Sequence, residues 1–121
     1  MTATTYESRD GIALITINRA DARNAINNEV VRGLSEAWAC FAASADDRVA
    51  VLAGAGGQAF SAGADLRDMP KDIWRAMPNF SVRCDKPIIC AVTGFAVGAG
   101  STFVMLADLA VAEEQAQFLY P

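Results

Sequence analysis

The chain has 121 residues, and the 53% that are apolar are enough to fill the core of one small domain. Its formal net charge of −4 at pH 7 argues against nucleic acid or an anionic membrane as the main partner. No apolar run approaches transmembrane length, and the N-terminal residues lack the charged start and apolar centre of a signal peptide. We therefore expect a cytoplasmic protein with no membrane-inserted segment.

The beginning of the chain predicts a β-hairpin. Residues 5–9 and 12–17 have β character and flank the dipeptide Asp10-Gly11. Asp-Gly between two such runs is a strong signal for a tight hairpin turn.

A helix is predicted next. Asn27 or Asn28 can cap its first turn, since the side-chain oxygen of asparagine accepts hydrogen bonds from free backbone N–H groups. From residue 29 to about residue 44, apolar side chains recur at three- and four-residue steps and define one helix face. We expect this face to pack in the core, and its residues are Val31, Leu34, Trp38 and Phe41.

Two later stretches share a pattern of a short β-rich run followed by small residues. Residues 49–53 precede the first loop, defined as residues 58–66, and residues 88–92 precede the second loop, defined as residues 94–102. Glycine and alanine allow another molecule to approach the main chain closely and leave N–H groups free to bind it. The second loop runs into an apolar segment, 101–107, that can form a helix. Two N–H groups that converge on one point would form an oxyanion hole, so the pattern predicts a protein that polarises a carbonyl group.

Three further stretches have weaker signals. Residues 54–57 follow a strand as a dinucleotide-binding turn does, but no convincing helix follows them and the expected acidic residue is missing. Residues 67–85 contain Pro70 and Pro78, which exclude a long helix. They can form either a lid over a pocket or a surface helix with its aromatic residues turned inward. Residues 108–112 predict a further buried strand.

The residue types restrict the possible chemistry. The sequence has no histidine, which removes the commonest general base and the usual partner of a nucleophilic serine such as Ser61 or Ser101. Cys40, Cys84 and Cys90 lack the close pairing of a zinc site, so no metal is expected. Cys40 and Cys90 lie in apolar runs, which predicts buried thiols in a reducing compartment. The chemistry that remains possible is electrostatic stabilisation combined with a carboxylate that acts as an acid or base.

Four motifs resemble those of the crotonase (enoyl-CoA hydratase/isomerase) superfamily. Phe-Ser-Ala-Gly-Ala-Asp-Leu at residues 60–66 and the stretch at 86–100 resemble its two signatures. Residues 18–26 resemble the motif after its first hairpin, and residues 116–121 resemble the start of a third signature. The resemblance implies an α/β fold, a ββα superhelix of the ClpP/crotonase type. Because family members usually continue for a comparable stretch, residues 1–121 are expected to be the N-terminal portion of a longer acyl-CoA-binding domain, incomplete at its C-terminus.

The resemblance also assigns an activity and a site. It implies an enzyme of fatty acid metabolism that stabilises a thioester enolate and assembles as a homo-trimer or hexamer. The backbone N–H groups of Ala64 and Ala99 align with the two donors of the family's oxyanion hole. No separate cofactor is implied, because CoA arrives as part of the acyl-CoA substrate. Asp65 is expected to hold its loop by accepting hydrogen bonds. The positions assigned to CoA contact are Arg23, Ala62, Asp65 and Leu66.

The acid/base group is where the chain departs from the family pattern. Thr102 stands where hydratases of the family carry a glutamate, and the family's second glutamate directly follows the proline aligned with Pro121. Asp68 and Asp85 are the other carboxylates near the loops. Two hypotheses follow: a hydratase or isomerase that uses the second glutamate, or a non-catalytic acyl-CoA-binding protein that has lost its carboxylates. A coding sequence that continues past Pro121 with glutamate would favour the enzyme.

Overall fold

The computed structural model describes residues 2–121. It contains eight strands and two α-helices in that range, together with short 3₁₀ turns at Ala20–Ala22 and Ile73–Ala76. In chain order the elements are β1 (Thr4–Arg9), β2 (Ile12–Ile17), α1 (Asn28–Ala43), β3 (Val49–Gly54), β4 (Ala59–Ser61), β5 (Ile88–Val92), β6 (Phe95–Val97), α2 (Ala99–Leu106), β7 (Leu109–Ala112) and β8 (Gln117–Leu119).

The strands form two sheets. The larger sheet has the order β1-β2-β3-β5-β7, and only its β1–β2 pair is antiparallel. The smaller sheet has the order β4-β6-β8, with all strands parallel. From β3 onward the chain alternates between the two sheets, one strand in each, with α2 inserted between β6 and β7. This is the ββα arrangement predicted from the sequence, and the expected α/β fold class is confirmed.

The predicted hairpin is present. Asp10 and Gly11 both have positive φ, 52° and 83°, which is the backbone conformation of the tight turns that match the twist of two paired strands. Arg9 pairs directly with Ile12 across this turn.

Helix α1 covers one face of the larger sheet. Its N-cap is Asn27, whose side-chain oxygen accepts a 2.9 Å hydrogen bond from Val30 N–H. The ammonium group of Lys86 donates to the carbonyl oxygens of Phe41, Ser44 and Asp47 at 2.7, 2.6 and 2.8 Å, and so compensates the C-terminal end of the helix dipole. The predicted core face is correct, and its buried residues are Val30, Val31, Leu34, Ala37, Trp38 and Phe41.

Two predictions of burial are wrong. Residues 108–112 were expected to form a buried strand, but in β7 Leu109 and Val111 are 63% and 68% exposed. The reason is position, because β7 is the edge strand and pairs only with β5. Cys40 is exposed because it lies on α1 outside the buried face. Cys90 is buried in β5 as expected, and its burial raises the pKa of the thiol to about 12.

The segment 67–85 forms a single 3₁₀ turn, Ile73–Ala76, rather than a surface helix. Trp74 and Phe80 are 45% and 57% exposed. The alternative of a surface helix with its aromatic residues turned inward is therefore wrong. Ala76 is buried instead, and its carbonyl oxygen accepts a 2.7 Å hydrogen bond from the Trp38 indole N–H of α1. The lid alternative stays a prediction. Among residues 2–121, no helix is long and apolar enough to cross a membrane.

Candidate active site

The two predicted loops lie side by side at one edge of the smaller sheet. Each begins with a short strand that the sequence did not predict, β4 in the first loop and β6 in the second, and these strands are parallel neighbours. Because parallel strands end at the same edge, the residues that follow them meet. The approach is close: a Cβ atom on Gly63 would lie 2.7 Å from the Val97 carbonyl oxygen, and one on Gly100 would lie 2.4 Å from the Ser61 carbonyl oxygen.

The first loop presents the backbone N–H of Ala64. Ile26 N–H donates to the Gly63 carbonyl oxygen at 2.8 Å, and Asp65 N–H donates to the Ile26 carbonyl oxygen at 2.9 Å. This parallel bridge uses the polar groups on either side of Ala64 and leaves the N–H of Ala64 itself unused. In the described part of the chain, that N–H has no hydrogen-bond acceptor.

The second loop presents the N–H of Ala99. Helix α2 begins at this residue, two positions earlier than the sequence predicted. Its N-cap Gly98 has φ 55° and ψ −117°, a conformation that glycine adopts far more readily than other residues. The first N–H groups of a helix have no partner within it, and among residues 2–121 nothing else accepts from Ala99. The Ala99 nitrogen lies 3.5 Å from the position that a Cβ on Gly63 would occupy, so it borders the first loop.

Asn24 connects the first loop to the preceding chain from a fully buried position. Its side-chain NH₂ donates to the carbonyl oxygens of Ala55 and Ala59 at 2.9 and 2.8 Å, and its side-chain oxygen accepts from Arg19 N–H at 2.9 Å. The backbone φ of Asn24 is +57°, which asparagine tolerates better than most residues. The side chain therefore joins both ends of the 55–59 turn to the 19–24 segment.

Both serines of the loops are engaged in internal hydrogen bonds. Ser61 Oγ–H donates to the Asn24 carbonyl oxygen at 2.8 Å, and the same Oγ accepts from Gly63 N–H at 3.2 Å. Ser101 Oγ–H has the Ala96 carbonyl oxygen at 2.8 Å as its acceptor. Both side chains are buried. They stabilise the loops, which agrees with the prediction that neither serine has an activating base.

Asp65 holds the turn after Ala64, the structural role predicted for it. Its carboxylate accepts from Arg67 N–H at 2.8 Å, from Asp68 N–H at 3.3 Å and from the Arg19 guanidinium at 3.1 Å. The hydrogen bond from Arg67 N–H, followed by that from Arg19, lowers the pKa of Asp65 below its usual value of 3.8. A carboxylate held in its charged form in this way is a poor general base.

The residues predicted to contact CoA lie together. Arg23, Ala62, Asp65 and Leu66 line one open cleft of about 650 Å³, which Ala64 also borders. Sequence analysis missed Arg19, although it belongs to the recognised motif at 18–26. The cleft contains more basic than acidic side chains, which suits phosphate groups. Its charged residues are Arg19, Arg23, Arg67, Asp21 and Asp65.

Thr102 lies in the first turn of α2, where its hydroxyl donates to the Gly98 carbonyl oxygen at 3.3 Å. Its Oγ1 is also 2.5 Å from the hydroxyl oxygen of Tyr120, a residue that sequence analysis missed. Parallel pairing of β6 with β8 brings Tyr120 there, and Gly98 N–H donates to the Leu119 carbonyl oxygen at 2.8 Å.

The remaining candidate carboxylates, Asp68 and Asp85, have these surroundings. Asp68 accepts a 3.0 Å hydrogen bond from the Asn28 side chain at the start of α1, and Asp85 is exposed. Within residues 2–121, no three His, Cys, Asp or Glu side chains are grouped so that they could hold a metal ion.

Known proteins are similar to this chain in sequence and in fold. The family described as enoyl-CoA hydratase/isomerase matches residues 7–121. The chain is 34% identical to (E)-benzylidenesuccinyl-CoA hydratase of Thauera aromatica, over 94% of this chain and 48% of that protein. It is also 34% identical to 2,3-dehydroadipyl-CoA hydratase of Escherichia coli, over 91% of this chain and 46% of that protein.

Solved structures agree. The crystal structure of a probable enoyl-CoA hydratase/isomerase from Mycobacterium abscessus superposes with a TM-score of 0.86 and 40% identity, covering 98% of this chain and 48% of that one. The chain thus spans about half the length of the curated relatives and of the solved structure that it matches.

Proposed function

Because the chain belongs to the enoyl-CoA hydratase/isomerase (crotonase) family, we propose that the protein is an acyl-CoA enzyme whose Ala64 and Ala99 N–H groups bind the thioester oxygen of its substrate. The observation that carries this proposal is that two N–H groups without acceptors lie on adjoining loops. Two N–H groups that are free to donate on adjoining loops can bind one ligand oxygen.

The chemistry that this arrangement supports is formation of an enolate. Adding water to a 2-enoyl-CoA, or moving the double bond of a 3-enoyl-CoA, places negative charge on the thioester oxygen. Two fixed N–H donors bind that charged oxygen more strongly than the neutral carbonyl, so they lower the barrier rather than only improving binding. Loss of one such donor costs about 3 kcal/mol in comparable sites.

The proton transfer needs a group other than Thr102, because a threonine hydroxyl does not act as a base near neutral pH without a partner. Ser61 and Ser101 are already engaged in the loops, and Asp65 is held as a charged hydrogen-bond acceptor. None of these residues of 2–121 is therefore assigned as the base, and the family pattern places its second glutamate directly after the proline aligned with Pro121. With a single carboxylate, the protein would resemble isomerases of the family, in which one base moves a proton between two carbons of the substrate.

The substrate's CoA portion would occupy the cleft beside the first loop. Arg23 is exposed there, and Arg67, two residues after Asp65, lines the same cleft. Guanidinium groups bind phosphate oxygens by paired, charge-assisted hydrogen bonds. Ala62, Asp65 and Leu66 supply backbone near the adenine.

A homo-trimer or hexamer in the cytoplasm is part of the proposal. One face of the larger sheet carries an apolar row, in which Leu14, Val51, Ile89 and Leu109 are register neighbours. Sedimentation equilibrium of the intact protein should give three or six times the subunit mass, and a stable monomer would contradict this part.

The second candidate function is a non-catalytic acyl-CoA-binding protein. It is favoured by one observation, the threonine at position 102 where hydratases have glutamate. Such a protein would keep the donors and the cleft but lack turnover.

The test is to measure binding and turnover in the same preparation of the protein expressed from its intact coding sequence. Calorimetric titration with a saturated acyl-CoA reports binding. Assays with a 2-enoyl-CoA and a 3-enoyl-CoA report hydration and isomerisation. The proposal predicts binding together with turnover of at least one substrate. Binding without turnover supports the second candidate, and absence of binding contradicts both.

A further inference from the structure

The Gly98–Ala99 peptide joins the proposed donor, the Ala99 N–H, to the side chain of Thr102. Thr102 stands where the family pattern expects a glutamate. The Ala99 N–H and the Gly98 carbonyl belong to the same planar peptide unit, so the two groups point in opposite directions. That carbonyl oxygen accepts from Ser101 N–H at 2.9 Å, from Thr102 N–H at 3.1 Å and from the Thr102 hydroxyl at 3.3 Å. Whatever holds the Gly98 oxygen therefore also aims the Ala99 N–H.

The direction of the hydrogen bonds follows from counting protons. A threonine hydroxyl has one proton, and that of Thr102 is directed to the Gly98 carbonyl oxygen. Either oxygen can donate in the 2.5 Å contact between Thr102 Oγ1 and the Tyr120 hydroxyl. When the Thr102 proton is on the Gly98 oxygen, the proton of that contact comes from Tyr120. The order is Tyr120 O–H to Thr102 O–H to the Gly98 carbonyl, and the Ala99 N–H lies at the far end of the same peptide.

Strand β8 places Tyr120 at this point. Val97 pairs with Leu119 in the smaller sheet, and the Leu119 carbonyl oxygen accepts from Gly98 N–H at 2.8 Å. The Gly98–Ala99 peptide is thus held from the β8 side through the Gly98 nitrogen and through the Tyr120 hydroxyl.

Resting on the proposed function, we propose that Tyr120 and Thr102 are positioning residues, which orient and polarise the Ala99 N–H through the Gly98–Ala99 peptide. Hydrogen bonds in a chain strengthen one another, and donation to a carbonyl makes the N–H of the same peptide a better donor. In this role Thr102 does not replace the missing glutamate as an acid or base.

A threonine that bonds to the carbonyl four residues earlier is common in helices and often has no function. Two observations separate this case from the common one. The carbonyl belongs to the peptide whose N–H has no acceptor among residues 2–121, and a second hydroxyl from another strand extends the chain. The functional role therefore predicts an effect of Tyr120, which a purely local helix contact does not.

The experiment uses Thr102→Val, which keeps the branched shape and removes the hydroxyl, and Thr102→Ser, which restores it. Tyr120→Phe removes the outer hydroxyl. A hydrogen bond in a chain is strengthened by about 10–30%, and loss of one such donor lowers kcat about 10²–10³-fold. If Thr102→Val removes that fraction of the donor's free-energy contribution, kcat should fall about two- to eightfold. KM should change little, since the effect acts on the transition state. Tyr120→Phe should cause a smaller fall, and Thr102→Ser should restore most of the loss.

A double variant tests whether Tyr120 acts through Thr102. In the Thr102→Val background the chain is already broken, so adding Tyr120→Phe should lower kcat no further. A fall of equal size in both backgrounds would show that Tyr120 acts on the substrate directly and would overturn the inference. Wild-type kcat in Thr102→Val, or a change confined to KM, would also overturn it.

The Ala99 amide proton supplies a readout that needs no activity. In the ligand-free protein its NMR resonance should move upfield in Thr102→Val and in Tyr120→Phe, and return in Thr102→Ser. An unmoved resonance in Thr102→Val contradicts the inference even if the protein is active. If the protein fails to bind or convert acyl-CoA, the proposed function is wrong, and this resonance alone decides whether the hydroxyls polarise the peptide.

Discussion

The two loops of the site present the same chemical group but are built differently. The first loop is held by residues from a distant part of the chain, chiefly Asn24 and Ile26, which contact it across more than thirty positions. The second loop needs less outside help, because Ala99 is simply the first residue of α2 and any helix leaves its first N–H groups without partners. The first donor depends on tertiary contacts alone, whereas the second depends on where a helix begins and is supported by contacts from β8.

This difference explains why the motif at residues 18–26 belongs to the site although it contributes no donor. Arg19 and Asn24 fix the two sides of the first loop, through Asp65 and through the 55–59 turn respectively. Substitutions in that motif should therefore damage the first donor and the fold together. Substitution of Ala99 at the start of α2 should damage the second donor alone.

The largest effect is expected for Asn24→Ala. The substitution removes three hydrogen bonds, two of them to carbonyl oxygens of the 55–59 turn, and places alanine at a φ of +57°. Each lost bond costs about 1 kcal/mol and the backbone strain about 1–2 kcal/mol, so the free energy of unfolding should fall by about 4–5 kcal/mol. Urea denaturation measures it.

Asn79→Ala is the matched control for that experiment. Asn79 also has positive φ, 68°, but it is exposed and its side-chain oxygen accepts from Cys84 N–H alone at 2.8 Å. It shares the backbone strain but loses only one exposed hydrogen bond, so the free energy of unfolding should fall by about 2–3 kcal/mol. Equal losses for the two variants would show that the network around Asn24 contributes little.

Ala99→Pro should remove the second donor without unfolding the protein. Proline has no N–H but is well tolerated at the first position of a helix, and Gly98 with ψ −117° is already outside the α region that a following proline disfavours. We expect turnover to fall about a hundredfold or more, with a nearly unchanged unfolding transition.

Asn28→Pro provides the control, because Asn28 is the first residue of α1 and follows Asn27 in an extended conformation. Its backbone should tolerate proline as that of Ala99 does, and the variant should keep turnover although it also loses the exposed side-chain hydrogen bonds of Asn28 with Asp68 and with Lys71 N–H. Similar activity in Ala99→Pro and Asn28→Pro would exclude Ala99 as a donor.

A smaller, pH-dependent effect is expected for Asp65→Asn. The pKa of Asp65 is lowered in the folded protein, so its contribution to stability is present above the unfolded value near 3.8 and is lost as the pH falls through the folded value. The difference in the free energy of unfolding between wild type and Asp65→Asn should therefore shrink with acidification in that range. A difference that grows towards low pH would contradict the assigned role of the carboxylate.

Much of the site could be predicted from the sequence because its signals are local. The hairpin depends on Asp10-Gly11, the face of α1 on helical spacing, and the existence of α2 on an apolar segment after glycines, whereas the choice of Ala99 as a donor came from the family resemblance. The features that the sequence did not predict depend on the pairing of strands that are distant in the chain. Tyr120 reaches Thr102 only because β8 pairs with β6, and β7 is exposed only because it is an edge strand. Neither fact is visible in a window of neighbouring residues.

The central claim is that the Ala64 and Ala99 N–H groups bind one thioester oxygen. The most direct measurement is the infrared stretch of the thioester carbonyl in a saturated acyl-CoA labelled with ¹³C at that carbon, free and bound to the protein. Two donors on one oxygen weaken the C=O bond, so the bound frequency should be lower than the free one, and Ala99→Pro should recover part of the difference. A bound ligand whose frequency matches that of the free ligand, or a shift that Ala99→Pro leaves intact, would contradict the account.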